Sequence, residues 1–196
     1  MSRRVLIIGA GIAGQSMAIA LARAGIDFDI VEAKSEFDIL GSGMYVQNNA
    51  LRCFQEIGVA EAIQAAGWIS PTGESHLLDE QGGFLTSTRV PPCPGSDLPG
   101  YVPISRARLH DILYRAAVTA GAQIRMGATV RALEDDGAGV DATFSDGTQR
   151  RYDLVVGADG VNSATRRLLF SGIDPQYSGF SNWRVTLPMP EPMQTV

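Results

Sequence analysis

Three glycines, Gly9, Gly11 and Gly14, constrain this chain more than any other feature. They follow Val5 to Ile8, a short uninterrupted apolar run of the kind buried on both faces of a parallel sheet. They open an alanine- and leucine-rich stretch from Ile12 to Ala24 that reads as a helix stopped by Gly25. Phe28 to Val31 then reads as a second strand, ending at Glu32. In such a strand-turn-helix the first glycine permits the turn and the second lets backbone approach a pyrophosphate, while the third permits close packing of helix on strand. The helix start, with Ile12 and Ala13, offers amide donors and partial positive charge to the phosphates. A carboxylate at 32 can accept both hydroxyl hydrogens of an adenosine ribose, which argues against a 2′-phosphate there. These residues point to a dinucleotide and leave NAD and FAD both open.

The 196 residues are 45% hydrophobic and 19% charged, the balance of a globular protein with a sizeable core. A net charge of −5, with arginines scattered among acidic residues, gives no field to attract a phosphate backbone, so nucleic acid is not expected as a partner. Cys53 and Cys93 lie far apart without histidine spacing, which indicates neither a disulfide framework nor a zinc site, and a reducing cytoplasm is the expected location. Ser2-Arg3-Arg4 before an apolar run imitates a signal peptide, but the glycines break the run, and no segment reaches transmembrane length. No membrane partner is expected.

Further along, Asn48 or Asn49 is positioned to cap a helix through Ile57, closed by Gly58, and Val59 to Ala66 adds a turn or two. Residues 74–90 read as a hairpin around Gln81-Gly82-Gly83, and Pro91 to Pro103, with five prolines, as a loop. Ser105 is placed to cap a helix to Ala120. Between Gln123 and Tyr152, short runs broken at Asp136-Gly137 and Asp146-Gly147 predict a small antiparallel meander. Leu154 to Gly157 returns to the buried-strand pattern, Ala158-Asp159-Gly160 makes a turn, and Ser163 to Phe170 is helical. Tyr177 to Leu187 reads as extended, before Pro188, Pro190 and Pro192. His110 falls on the outward-looking side of its helix and His76 beside a strand, and both suit surface or packing roles.

The run from Asp153 to Ser163, with Arg166 three residues on, resembles the Asp-Gly fingerprint of the single-component, class A FAD-dependent aromatic hydroxylases. Gly41-Ser42-Gly43-Met44-Tyr45 with Asn49-Ala50-Leu51-Arg52, and Ile104-Ser105-Arg106-Ala107-Arg108-Leu109, resemble the same family, as do Tyr177 to Phe180 and Asn182-Trp183-Arg184. Within that family the chain resembles urate- and salicylate-type hydroxylases. The resemblance implies FAD as bound cofactor and NAD(P)H as co-substrate, with Asp159 and Gly160 near the pyrophosphate. It implies that Arg106 reaches the flavin side, its fixed fork suiting a pyrophosphate. It also implies that the backbone of Val130 meets the adenine and that Tyr45 lies beside the flavin. The arginine that commonly follows the ribose-binding glutamate is absent, with Ala33 and Lys34 in its place at the adenine side.

The fold so implied is α/β, a Rossmann-like FAD-binding domain of the glutathione-reductase type with a small antiparallel meander and the start of a substrate-domain sheet. Residues 1–172 form the FAD-binding domain, with the 74–103 region inserted from the substrate side, and 173–196 begin a truncated substrate-binding sheet. The family's second flavin fingerprint, a Gly-Asp pair, is missing, so a C-terminal portion is expected in cis or in trans. The implied function is hydroxylation of a small aromatic or heteroaromatic substrate with O₂, through a C4a-hydroperoxyflavin. Another FAD enzyme of the same fold (a halogenase, an epoxidase or a reductase) and a non-catalytic FAD-binding half remain as alternatives. No side chain is assigned a catalytic role, and no metal is expected.

Overall fold

The computed structural model describes residues 3–38, 43–70, 72–92 and 94–181. The expectations for Ser2, Gly41, Ser42, Cys93 and residues 182–196 lie outside these residues.

The chain opens with β1 (Arg4–Ile8), α1 (Ile12–Arg23) and β2 (Asp27–Glu32), the βαβ unit its glycines predict. There follow β3 (Gly43–Gln47), α2 (Asn48–Glu56), α3 (Ala60–Ala66), β4 (Glu74–Leu78), β5 (Phe84–Arg89) and β6 (Tyr101–Ser105). The remainder is α4 (Arg106–Thr119), β7 (Ile124–Met126), β8 (Val130–Asp135), β9 (Val140–Phe144), β10 (Gln149–Tyr152), β11 (Leu154–Gly157) and α5 (Ala164–Leu169).

A parallel sheet in the order β11-β1-β2-β7 forms the centre, with Val5 to Ile8 paired to Leu154 to Gly157 on one side and to Phe28 to Val31 on the other. Side chains alternate across a strand, and the two faces of this sheet meet different layers. Ile7 and Ile30 point into a core with Ala18 and Ile19 of α1 and Leu109, Leu113 and Ala117 of α4. Leu6, Ile8 and Val31 point the other way, against Val130, Ala142, Phe144 and Tyr152 of the β10-β9-β8 meander. Both faces are covered, which is why β1 reads as unbroken apolar sequence. The α/β Rossmann-like class is the observed one.

Asp29 fastens the meander to the sheet. It accepts hydrogen bonds from Arg4 Nε at 3.0 Å, Arg150 Nη1 at 2.7 Å and the Tyr152 hydroxyl at 2.7 Å. Burial pushes the Asp29 carboxyl up, but these donors outweigh it and hold the group down at about 2. The Tyr152 phenol, buried and bonded to that carboxylate, is pushed up to about 12.

Several elements depart from the sequence-based expectation. The loop from Pro91 stops at Gly100, because Tyr101 to Ser105 pair antiparallel with Gly43 to Gln47. Proline is tolerated at 103 because its missing N–H is not needed there, while its carbonyl accepts from Trp68 N at 2.9 Å. Ile124 to Met126 belong to the parallel sheet beside β2 and not to the meander. Asn48 is the first residue of α2 and caps nothing; Gln47 holds the cap position. Ser105 is the cap residue of α4, without a side-chain cap bond. β11 lies at a sheet edge among the described residues and is only partly covered, with Leu154 largely exposed. Tyr177 to Ser181 join no strand. No helix among the described residues is long and apolar enough to cross a membrane.

Candidate functional site: a cleft at the glycine turn

The cleft lies beyond the C-terminal ends of β1, β2 and β11, where open α/β sheets bind their ligands. Its volume is about 440 Å³. Gly9 to Gly11 form one wall and Val31 to Lys34 another; Arg106 and His110 of α4, Ala128 and Thr129, and Ala158 to Gly160 complete it.

Two glycines of the turn have a steric reason, and the third faces open space. Gly9 has φ +102°, and a Cβ there would stand 2.5 Å from the Ala158 carbonyl oxygen. A Cβ on Gly14 would collide with the carbonyl oxygen of Gly9, so only glycine lets α1 start so near β1. A Cβ on Gly11 would meet nothing within 4 Å: it faces the open cleft. The first helical bond of α1 runs from Gln15 N to Gly11 O at 3.0 Å, so the amides of Ile12, Ala13 and Gly14 have no helical acceptor.

Glu32 is already aimed. Its Oε2 accepts from Ala10 N at 2.9 Å and its Oε1 from Lys34 N at 3.0 Å, which leaves free lone pairs on both oxygens beside the cleft. Lys34 and Ala33 line the same wall. Lys34 O and Glu32 O accept from Gly127 N at 2.8 Å and Ala128 N at 2.9 Å, which brings the 128–129 backbone to the cleft. Val130 is one residue beyond that wall, its side chain buried in the meander core.

Asp159 contributes to the wall, but its carboxylate is engaged in the fold. The Ser163 hydroxyl donates to its Oδ1, and Thr165 N and Oγ1 donate to Oδ2 at 2.9 and 3.0 Å. Burial pushes this carboxyl up; the three donors outweigh it and hold it below the ordinary aspartate value. Ser163 Oγ in turn accepts from Arg166 N at 2.8 Å, and Arg166 Nη2 donates to Val161 O at 2.9 Å. The Asp-Gly run is thus a braced turn against Gly9 as well as a cleft wall.

Arg106 sits at the first position of α4 and at the cleft, exposed, and its guanidinium makes no hydrogen bond or ion pair among the described residues. A free planar fork in the cleft that Gly11, the residue before α1, also lines is suited to a phosphate. Tyr45 lies apart, on β3; it is 61% exposed and its ring meets that of Tyr101 edge-on at 5.3 Å. His110 is the clear reversal: it is 6% exposed, lines the cleft and meets the fully buried Gln15, whose Nε2 lies 2.9 Å from its Nε2. Phe37, which packs edge-on against His110 with centroids 4.6 Å apart, is a further cleft residue that sequence reasoning passed over. An unusual polar residue in an apolar helix face was the available signal for Gln15.

The sequence pattern of the FAD binding domain family matches residues 2–185, and the chain belongs to that family. FAD is thus the dinucleotide that family membership assigns. Among curated relatives, the chain is 35% identical over 180 residues to the aurachin C monooxygenase/isomerase of Stigmatella aurantiaca, covering 92% of this chain and 46% of that one. It is 32% identical over 187 residues to the FAD-dependent urate hydroxylase of Klebsiella pneumoniae, again covering 92% and 46%. The tetrameric form of 2-methyl-3-hydroxypyridine-5-carboxylic acid oxygenase superposes with a TM-score of 0.72 at 30% identity, over 86% of this chain and 42% of that one. Klebsiella pneumoniae HpxO complexed with FAD gives 0.70 at 30% identity, over 89% and 44%. The chain spans about half the length of the curated relatives it matches, 46% and 51% of the first two.

Proposed function

We propose that this cleft holds the adenosine and pyrophosphate half of FAD in a monooxygenase that hydroxylates a small aromatic or heteroaromatic substrate using NAD(P)H and O₂. The observation that carries the reading is the pre-aimed Glu32 facing an open Gly11 and a free Arg106 across one cleft. In this assignment the free amides of Ile12, Ala13 and Gly14 and the Arg106 fork take the pyrophosphate. Glu32 accepts from the ribose hydroxyls, and Ala33 with the backbone leading into Val130 faces the adenine. Asp159 and Gly160 close the pyrophosphate side, and Tyr45 stands toward the flavin ring.

When bound, FAD supplies the electron transfer from reduced nicotinamide to dioxygen, chemistry that no side chain of this cleft could perform. The protein's contribution is orientation and exclusion of water. Glu32, fixed by two backbone amides before any ligand arrives, loses little freedom on binding. The names of the relatives, a monooxygenase/isomerase, a urate hydroxylase and a pyridine-carboxylate oxygenase, support ring oxygenation over halogenation or a purely binding role. Residues 1–172 form the cofactor unit in this reading. The 74–103 region and residues 173–196 belong to the substrate side, completed by a C-terminal portion.

Purified protein of full natural length should retain or take up FAD, shown by its flavin absorption bands. A panel of aromatic and heteroaromatic acids and purines should include one that stimulates NAD(P)H oxidation and yields a product heavier by one oxygen. Protein that binds no flavin, or that oxidises NAD(P)H without any ring being oxygenated, would refute the assignment.

A further inference from the structure

Behind the cleft wall, Gln15 and His110 form a buried polar pair between α1 and α4 that the cofactor reading does not use. Gln15 is fully buried, and its Nε2 lies 2.9 Å from the Ala10 carbonyl oxygen and 2.9 Å from His110 Nε2. A primary amide nitrogen has two hydrogens and no lone pair to offer. Both hydrogens are committed here, one to each neighbour, so His110 Nε2 must accept and the imidazole is neutral with its proton on Nδ1. Inverting the amide would set Oε1 against the Ala10 carbonyl, acceptor to acceptor. The chosen orientation leaves Gln15 Oε1 buried with no partner among the described residues. Leucine would carry no such cost, so what Gln15 supplies is its two donors.

One of those donors acts on the residue that matters for the ligand. Ala10 gives its N–H to Glu32 Oε2 and receives Gln15 at its carbonyl, so it is held from both directions. We propose that Gln15 and His110 are positioning residues, a brace in which neutral His110 orients Gln15, Gln15 fixes the Ala10 carbonyl, and Ala10 sets the Glu32 carboxylate for the ribose. The brace rests on the reading of the cleft as an adenosine site, and it fails when His110 is protonated, since an imidazolium N–H would face the Gln15 amide N–H and compete with it for the Ala10 carbonyl.

Charges near His110 come from α4, from the end of β2 and from the segment after it. Arg106 and Asp111 share α4, with Asp111 bonded to Arg115; Glu32 ends β2; Lys34 and Asp38 lie along the same cleft. α1 supplies only Gln15 to the pair. Burial pushes the imidazole below the ordinary histidine value; the Ala10 carbonyl and the Asp111 and Glu32 charges pull upward, and Arg106 adds to the downward push. A diphosphate in the cleft would attract an imidazolium, but the free Arg106 fork already offers a permanent cation there.

The test is FAD affinity in the protein of full natural length, with thermal unfolding recorded for each variant. His110→Phe, which fills the site without an acceptor, and Gln15→Leu should each weaken FAD binding by about tenfold near neutral pH. His110→Gln, which restores an acceptor, should recover affinity to within about threefold of the parent. Lowering the pH through and below the ordinary histidine range should weaken the parent several-fold and leave His110→Gln nearly unchanged. Nitrogen NMR of His110 should show a protonated Nδ1 and a bare Nε2. A His110→Phe protein that binds FAD as tightly as the parent, a His110→Gln protein as weak as His110→Phe, or a shared pH profile would overturn the brace. Absence of FAD binding by the parent at every pH would overturn the cleft reading and the brace with it. Tight FAD binding with no effect of any variant would overturn the brace alone.

Discussion

The glycine turn and the β4–β5 hairpin are both tight reversals joining two elements, and they are specified in opposite ways. At the turn, Ala10 and Gln15 have no exposed surface, and a Cβ on Gly9 or Gly14 would strike backbone. Gly9, Ala10, Gly14 and Gln15 each answer to a neighbour, while Gly11 opens on the cleft. In the hairpin, Leu77, Leu78, Phe84 and Leu85 all stand about half exposed or more, and a hydroxyl contact from Ser75 to Tyr101 ties it to β6. A two-stranded unit of this kind contributes little to stability by itself. Tight steric specification is therefore concentrated at the cleft.

Four measurements test that contrast. Gly14→Val should be the most damaging, because the branched side chain has only the Gly9 carbonyl to displace; loss of about 3 kcal/mol or more, read by chemical denaturation, is expected. If it folds with parental stability, the turn is not the tightly specified region. Glu32→Ala removes the acceptor of two backbone amides and the proposed ribose ligand, and should weaken FAD binding about a hundredfold in an equilibrium titration.

Acid should act next, through Asp29. Its folded-state carboxyl sits at about 2, below its unfolded value of 3.8, so its stabilising effect is complete above that unfolded value and lost as pH falls toward the folded one. Asp29→Asn should flatten this limb of a stability-against-pH curve; an unchanged limb would show that Asp29 does not fasten the meander. Leu78→Ser, on the exposed hairpin, should change stability by no more than about 0.5 kcal/mol. A loss comparable to that of Gly14→Val would erase the distinction between the two reversals.

What could be read from the sequence was what depends on near neighbours. Gly9, Gly11, Gly14 and Glu32 lie within one βαβ unit, so their spacing alone implied the turn, and the structure supplies a steric reason for Gly9 and Gly14 and an open cleft at Gly11. The burial of His110 was not legible, because the helical period of α4 does not reveal that α1 crosses it and delivers Gln15 from 95 positions earlier. Three residues of β7 are too few to show a period, so a parallel partner of β2 read as part of the meander. Tyr101 to Ser105 were masked by Pro103, whose tolerance depends on a partner on one side only. The apolar run of β11 implied burial on both faces, whereas its place at the edge of the described sheet leaves Leu154 open.

The pairing of Val5 with Leu154 has a consequence for the order in which the protein can be made. Once made, β1 has a neighbour on one side as soon as β2 follows, but its other flank stays bare until β11 emerges. At about 5–20 residues per second of synthesis, the roughly 150 intervening residues hold that flank open for about 8 to 30 seconds. The wall formed by Ala158 against Gly9 is absent for the same interval. A nascent chain stalled before β11 should therefore neither bind dinucleotide nor protect β1 from hydrogen exchange, and release of the stall should produce both together.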